Sequence, residues 1–130
     1  MLREVGESLK KILSTDFNQV EFYEGQFERF DEEVVYPPTC YIEYVSGQVA
    51  ENDDPLGKLN LVLHVLTSRL ERDPGNMLDI LEKIIELIHD KGITAASGEY
   101  LGHMLFAGFR NTIIHDGLSA FEVDILVDRG

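Results

Sequence analysis

Residues 59–66, LNLVLHVL, limit the possible folds of this chain more than any other segment. In an extended strand, alternate side chains point to opposite faces. One face of this segment is wholly aliphatic and consists of Leu59, Leu61, Leu63 and Val65. The other face mixes apolar and polar residues and consists of Asn60, Val62, His64 and Leu66. Apolar residues on both faces are typical of a strand inside a sheet, covered on both sides or facing another subunit. We therefore predict an interior strand, and assign Val62, His64 and Leu66 to a subunit interface.

Two segments carry the apolar spacing of amphipathic helices. In residues 2–13, apolar side chains recur every three or four positions and charged residues fill the opposite side. A second helix is predicted to follow Asp73, a candidate N-cap, with Pro74 at its first position. Its apolar stripe extends to Ile88, and Lys91 with Gly92 suits a helix C-terminus. Both helices need a sheet to cover their apolar sides.

The remaining pattern predicts further strands at residues 18–28, 39–45, 100–109, 112–115 and 121–127. Residues 46–58 and 92–98 are predicted to be loops. The expected order is α-β-β-β-α-β-β, with one more strand possible near the end. This order favours an α+β fold, with two amphipathic helices on a mixed or antiparallel sheet of four to six strands. The 130 residues suit a single domain spanning 1–130.

Acidic residues dominate the charge of this chain. It has 24 Asp and Glu against 11 Lys and Arg, a formal net charge of −13. Such a surface repels the phosphates of nucleic acids and of anionic membranes, so neither is an expected partner. The lone cysteine, Cys40, excludes an internal disulfide and a zinc site built from several thiolates.

No motif assigns a catalytic, cofactor-binding or metal-ligating residue. The glycines match neither phosphate-binding nor dinucleotide-binding spacing, and the four histidines form no H-x-x-x-H pair. His89 is expected at a helix C-terminus, where a positive charge is favourable. His64 is expected to be a core or interface residue. Cys40 is expected to be a small core residue, because no spacing suggests an activating base.

Two acidic clusters stand in predicted loops. They are Asp31, Glu32 and Glu33 in the first loop, and Glu51, Asp53 and Asp54 in the second. Neither cluster matches a calcium-binding loop. They are either solvated loop residues or a negatively charged lumen lining or docking surface.

The order of elements resembles the tail-terminator, or tail-completion, proteins of long-tailed and contractile phages, especially the Mu-like prophage group. The resemblance covers nearly the whole chain. Its segments are LREVGESLKKIL, the extended YPPTCYIEYV, an acidic hairpin loop, LNLVLHVLTSR, the helix LDILEKIIELIHD, and the closing strand FEVDILVDRG.

This resemblance implies a structural protein of the virion tail, assembled in the bacterial cytoplasm, and not an enzyme. Its copies would form a hexameric ring that caps the tail tube, stops tube growth and offers a docking face to the head. The implied partners are further copies of the chain, the tail tube protein and a head-completion protein. DNA would pass through the ring without specific binding, and no cofactor or membrane is implied.

Two other functions remain open on the sequence alone. One is a small acidic interaction module, such as a head–tail adaptor or an inhibitor that mimics DNA. The other is a small hydrolase that uses His103 or His115 with a nearby acid.

Overall fold

Two helices and six strands make up the part of the chain that the computed structural model describes, namely residues 2–17, 19–23, 39–48, 57–68, 74–112 and 118–129. In chain order they are α1 (Leu2–Leu13), β1 (Gln19–Tyr23), β2 (Thr39–Gln48), β3 (Lys58–Ser68), α2 (Pro74–Ile88), β4 (Lys91–Thr94), β5 (Tyr100–Thr112) and β6 (Leu118–Asp128). The α+β class is confirmed, and the order of elements roughly matches the prediction. The additional strand after α2 is β4, in a segment predicted to be a loop, and residues 113–115 of the strand predicted at 112–115 lie outside the described residues.

All six strands belong to one sheet with the order β1-β2-β3-β6-β5-β4. β1 runs parallel to β2, and every other neighbouring pair is antiparallel. β3 lies inside the sheet between β2 and β6, as its apolar pattern predicted. Its ladder with β6 pairs every residue from Lys58 to Ser68 without a register shift.

Both helices pack on one face of the sheet, which we call the core face. On β3 this face carries the aliphatic series predicted from the sequence, and each member is at most 5% exposed. The helices contribute buried residues to the same cluster: Val5, Leu9, Leu13, Leu81, Ile84 and Ile88. Burial of one such aliphatic side chain contributes about 1.5–3 kcal/mol, so this layer is a large source of stabilisation.

The C-terminal end of α2 differs from the prediction. The helix ends at Ile88, and the chain reverses through Asp90, a non-glycine residue with a φ of 61°. The Asp90 N–H then donates to the Met104 carbonyl at 2.9 Å, which starts the pairing of β4 with β5. Gly92 therefore lies in a strand, in a segment predicted to be a loop. The cause is Ile93, which is fully buried and anchors this short strand to the core.

Several strands extend beyond their predicted bounds. β2 continues to Gln48, β5 to Thr112, and β6 begins at Leu118. For β5, a local sequence pattern could not show the full length, because the strand contains two register irregularities. One lies opposite β4, near Gly102, and the other lies between Phe106 and Gly108. Both glycines have positive φ values, 154° and 147°, that favour glycine. Asp73, the predicted N-cap of α2, lies outside the described residues.

Within the described residues, neither helix combines the length and the apolar character that crossing a membrane would require.

Candidate functional site

The face of the sheet opposite the helices carries a line of charged side chains that crosses four strands. We call it the polar chain, and it consists of Glu43, His64, Glu122, Arg110 and Asp124. Nε2 of His64 lies 3.0 Å from Oε1 of Glu43, and its Nδ1 lies 3.6 Å from Oε1 of Glu122. Arg110 pairs through Nε with Glu122 and donates through Nη1 to both Asp124 oxygens, at 2.7 and 2.9 Å.

Strand register brings these residues together. His64 on β3 faces Glu122 on β6, and Glu122 faces Arg110 on β5. Glu43 on β2 lies opposite Val62, and it is diagonal to His64, which is two residues further along β3. Side chains at opposite and diagonal positions on one face of a sheet are close enough to interact. The polar chain is therefore a direct product of the β2-β3-β6-β5 strand order.

The two ends of the polar chain differ in their access to water. The side chains of His64, Glu43 and Glu122 are 9%, 17% and 18% exposed. Those of Asp124 and Arg110 are 38% and 50% exposed. The hydrogen bond with Asp124 and the charge of Glu122 raise the pKa of Arg110, so this cation is permanent. Three carboxylates accompany one fixed cation and one histidine, so the polar chain has an acidic balance.

The structure describes only part of the predicted site. Val62 and His64 lie on the polar-chain face of β3 and are 6% and 7% exposed within the chain itself. Leu66 lies further along β3, paired with Thr39 and Ala120. Because Val62 and His64 expose so little, a neighbouring subunit would contact mainly the residues around them. Their interface role remains a prediction.

The two acidic clusters predicted to line a lumen or form a docking surface lie outside the described residues. They are Asp31, Glu32, Glu33, Glu51, Asp53 and Asp54.

Four members of the polar chain were not singled out by the sequence: Glu43, Arg110, Glu122 and Asp124. The alternation of residues 121–127 does place Glu122 and Asp124 on an acidic face. This alternation gives no indication of Arg110 or Glu43, because these residues come next to Glu122 and His64 only through the order of the strands in the sheet. Knowledge of the β6–β5 register would have been needed to find them.

A second pair of a histidine and a carboxylate, His103 and Asp90, lies at the start of β4. Nε2 of His103 is 2.6 Å from Oδ1 of Asp90, which joins a histidine to an acid as the hydrolase alternative requires. Their side chains are 38% and 76% exposed. The hydrogen bond from His103, together with its charge, lowers the pKa of Asp90. His115, the other histidine of that alternative, lies outside the described residues.

His89 lies directly after the last residue of α2, at the helix C-terminus where it was expected. Its Nδ1 accepts the backbone N–H of Phe106 at 3.1 Å. His89 therefore satisfies a backbone donor of β5 and ties the end of α2 to this strand.

An open groove of about 750 Å³ separates α1 from β4 and the turn that follows it. Glu4, Glu7 and Lys11 line one wall, and small residues from Gly92 to Ser97 line the other. The hydroxyl of Ser8 donates to the Thr94 carbonyl at 3.0 Å across this groove. Its lining includes no member of the polar chain and neither His103 nor Asp90.

Cys40 and the metal-ligand candidates add no reactive centre to the described residues. Cys40 is fully buried, and burial raises the pKa of its thiol, which keeps it protonated and unreactive. In the described ranges, no three His, Cys, Asp or Glu residues are grouped so that they could hold a metal ion.

No protein-family model matches the sequence, and no curated protein matches it.

We expect His64→Ala to destabilise the protein by about 1–3 kcal/mol, because two largely buried carboxylates lose their shared partner. The matched control is His103→Ala, which removes the partner of a far more exposed carboxylate and should shift the unfolding midpoint much less. Urea unfolding midpoints of the two variants and the wild type measure both effects. Equal midpoints for both variants would contradict a structural role for the polar chain.

We expect the Asp90–His103 pair to give a pH-dependent contribution to stability. Because the pKa of Asp90 is lowered in the folded protein, the contribution is present above the ordinary carboxyl value of about 3.9. It is lost as the pH falls through the lowered pKa. In His103→Gln, NMR titration of the Asp90 carboxyl should show a pKa nearer its ordinary value, and an unchanged titration would refute the assignment.

Proposed function

We propose that this protein is a structural ring subunit that resembles a phage tail terminator. Copies of the chain, six in the proposed assembly, would cap the tail tube, stop its growth and present a docking face to the head. The observation that carries the proposal is the division of the sheet into two unlike faces. Both helices cover one face, whereas the other bears an acidic polar chain.

The charge on the polar-chain face suits a wall past which DNA moves. Within the polar chain, Glu43, Glu122 and Asp124 outnumber the one fixed cation, Arg110, which is itself held by two of these acids. Lys58, a further cation on this face, stands opposite Asp128. The net charge of −13 gives the whole chain the same sign as DNA phosphate. A like-charged wall does not retain a polyanion, because retention depends on neutralising its phosphates with Lys and Arg.

The arrangement of layers also suits a ring. With both helices on one side of the sheet, a ring could place them outside and turn the polar-chain face toward the central channel. Identical subunits close into a ring when two different patches on each copy meet head to tail. In this proposal one of the two acidic segments, Asp31, Glu32 and Glu33 or Glu51, Asp53 and Asp54, lines the channel or faces the tube.

The proposed partners follow from the same function. They are further copies of this chain, the tail tube protein and a head-completion protein, all within the virion tail. The proposal includes assembly in the bacterial cytoplasm, and it requires no cofactor, membrane or specific DNA contact.

An acidic adaptor or DNA-mimicking inhibitor is the second candidate, and the same acidic face favours it. Such a protein would remain a monomer or a dimer and would bind a DNA-handling protein. The third candidate, a small hydrolase, would use the exposed His103–Asp90 pair.

Light scattering over a dilution series at two salt concentrations separates the ring from the other candidates. The ring predicts a species of roughly 88 kDa, six times the 14.7 kDa chain, since closed rings have a fixed copy number. Electron microscopy of that species should show a central hole. A monomer at every concentration, both alone and with purified tail tubes, would contradict the proposal.

A further inference from the structure

Apart from the outer side of the short terminal strand β4, the sheet has two strand edges that no strand covers within the described residues. β4 pairs with β5 only from Tyr100 to Met104, so residues 107–112 of β5 are paired on one side alone, with β6. At the opposite edge, β1 pairs with β2 on one side alone. Exposed strand edges bind other strands readily, because their main-chain donors and acceptors are not satisfied.

The main-chain groups of Phe109 and Asn111 point away from the sheet at the β5 edge. Earlier in β5, the Met104 carbonyl and the Phe106 N–H point outward, where they bond to Asp90 and His89. Along a strand, every second residue directs its N–H and carbonyl groups outward. The one-residue shift between Phe106 and Gly108 moves this series from even-numbered to odd-numbered residues. Phe109 is also 47% exposed, so this edge is accessible.

Beyond the register irregularity at residues 106–108, this segment of β5 has little of the usual protection of an edge. Natural edge strands often carry a charged residue or a proline that deters pairing. Arg110 is the only charged residue in residues 107–112, AGFRNT, which contain no proline. Its side chain is held on the polar-chain face by Glu122 and Asp124, so its charge is already paired within the sheet.

The two edges lie at the same level of the sheet. The registers of successive strand pairs place residues in continuous rows across it. One row contains Val20, Cys40, Val65, Phe121 and Asn111. Another contains Phe22, Ile42, Leu63, Val123 and Phe109. The five residues of β1 therefore stand level with residues 108–112 of β5, at opposite edges.

Strand direction is also compatible with a ring. β1 is parallel to β2, and three successive antiparallel pairings follow, so β5 runs opposite to β1. In a ring built by rotation alone, every copy keeps the same direction along the axis. β5 of one copy would then meet β1 of the next as an antiparallel pair.

We propose that the partner of this edge is a second copy of the chain, whose β1 pairs with residues 108–112 of β5. Repeated around the assembly, this junction joins the sheets edge to edge into one closed wall. The inference rests on the proposed function and specifies which surfaces close the ring.

Asn111→Pro tests the junction directly. Proline removes the outward N–H of residue 111, which the ladder with β6 does not use, and edge strands tolerate proline at such positions. The matched control, Asn111→Ala, keeps the N–H and removes only the side chain. We expect wild type and Asn111→Ala to form the ring and Asn111→Pro to sediment as a folded monomer, with its circular dichroism spectrum unchanged.

Hydrogen exchange of the wild-type protein gives a second measurement that does not depend on the folding of a variant. The amides of Phe109 and Asn111 should exchange slowly in the assembled protein and quickly after dilution to the monomer. A ring in which these amides exchange quickly, or which persists in Asn111→Pro, overturns this inference and leaves the proposed function intact. A wild-type protein that never assembles overturns both. If the wild-type protein forms a dimer and Asn111→Pro is a monomer, β5 of one copy pairs with β5 of the other. That result also overturns the proposed junction between β5 and β1.

Discussion

The uninterrupted ladder between β3 and β6, buried beneath two helices, is the constraint on which the rest of the structure depends. It aligns the aliphatic series of β3 with Phe121, Val123, Ile125 and Val127 on one face. A slip of one residue would turn all of these side chains away from the helices, so burial of this face fixes the register. Every other pairing in the sheet is built outward from these two strands.

The same register determines what the opposite face displays. Once Leu63 is opposite Val123, His64 must be opposite Glu122, and the polar chain follows. Largely buried carboxylates are costly unless they are paired, and here His64 and Arg110 provide the partners. The face thus stays charged and acidic without being unstable. An acidic face of this kind is the property that the proposed channel wall needs.

The sequence predicted elements whose pattern is local. It gave α1 with its observed bounds, the beginning of α2 at Pro74, and β3 as an interior strand with its core face correctly identified. It missed β4, because residues 91–94 have no alternating pattern and are held by the non-local contacts of Ile93. It could not find the polar chain, because Glu43, Arg110 and Glu122 are distant in sequence and meet only through strand order. The sequence also could not show that β1 stands level with residues 108–112 of β5, because this too depends on strand order and register.

Electron cryomicroscopy of the assembled protein tests the central claim most directly, since it reveals which face of the sheet is turned inward. The proposed arrangement predicts a closed ring whose channel is lined by the face that carries His64 and Glu122, with α1 and α2 on the outside. A ring with the helices lining its channel, or particles without a closed ring, would contradict it.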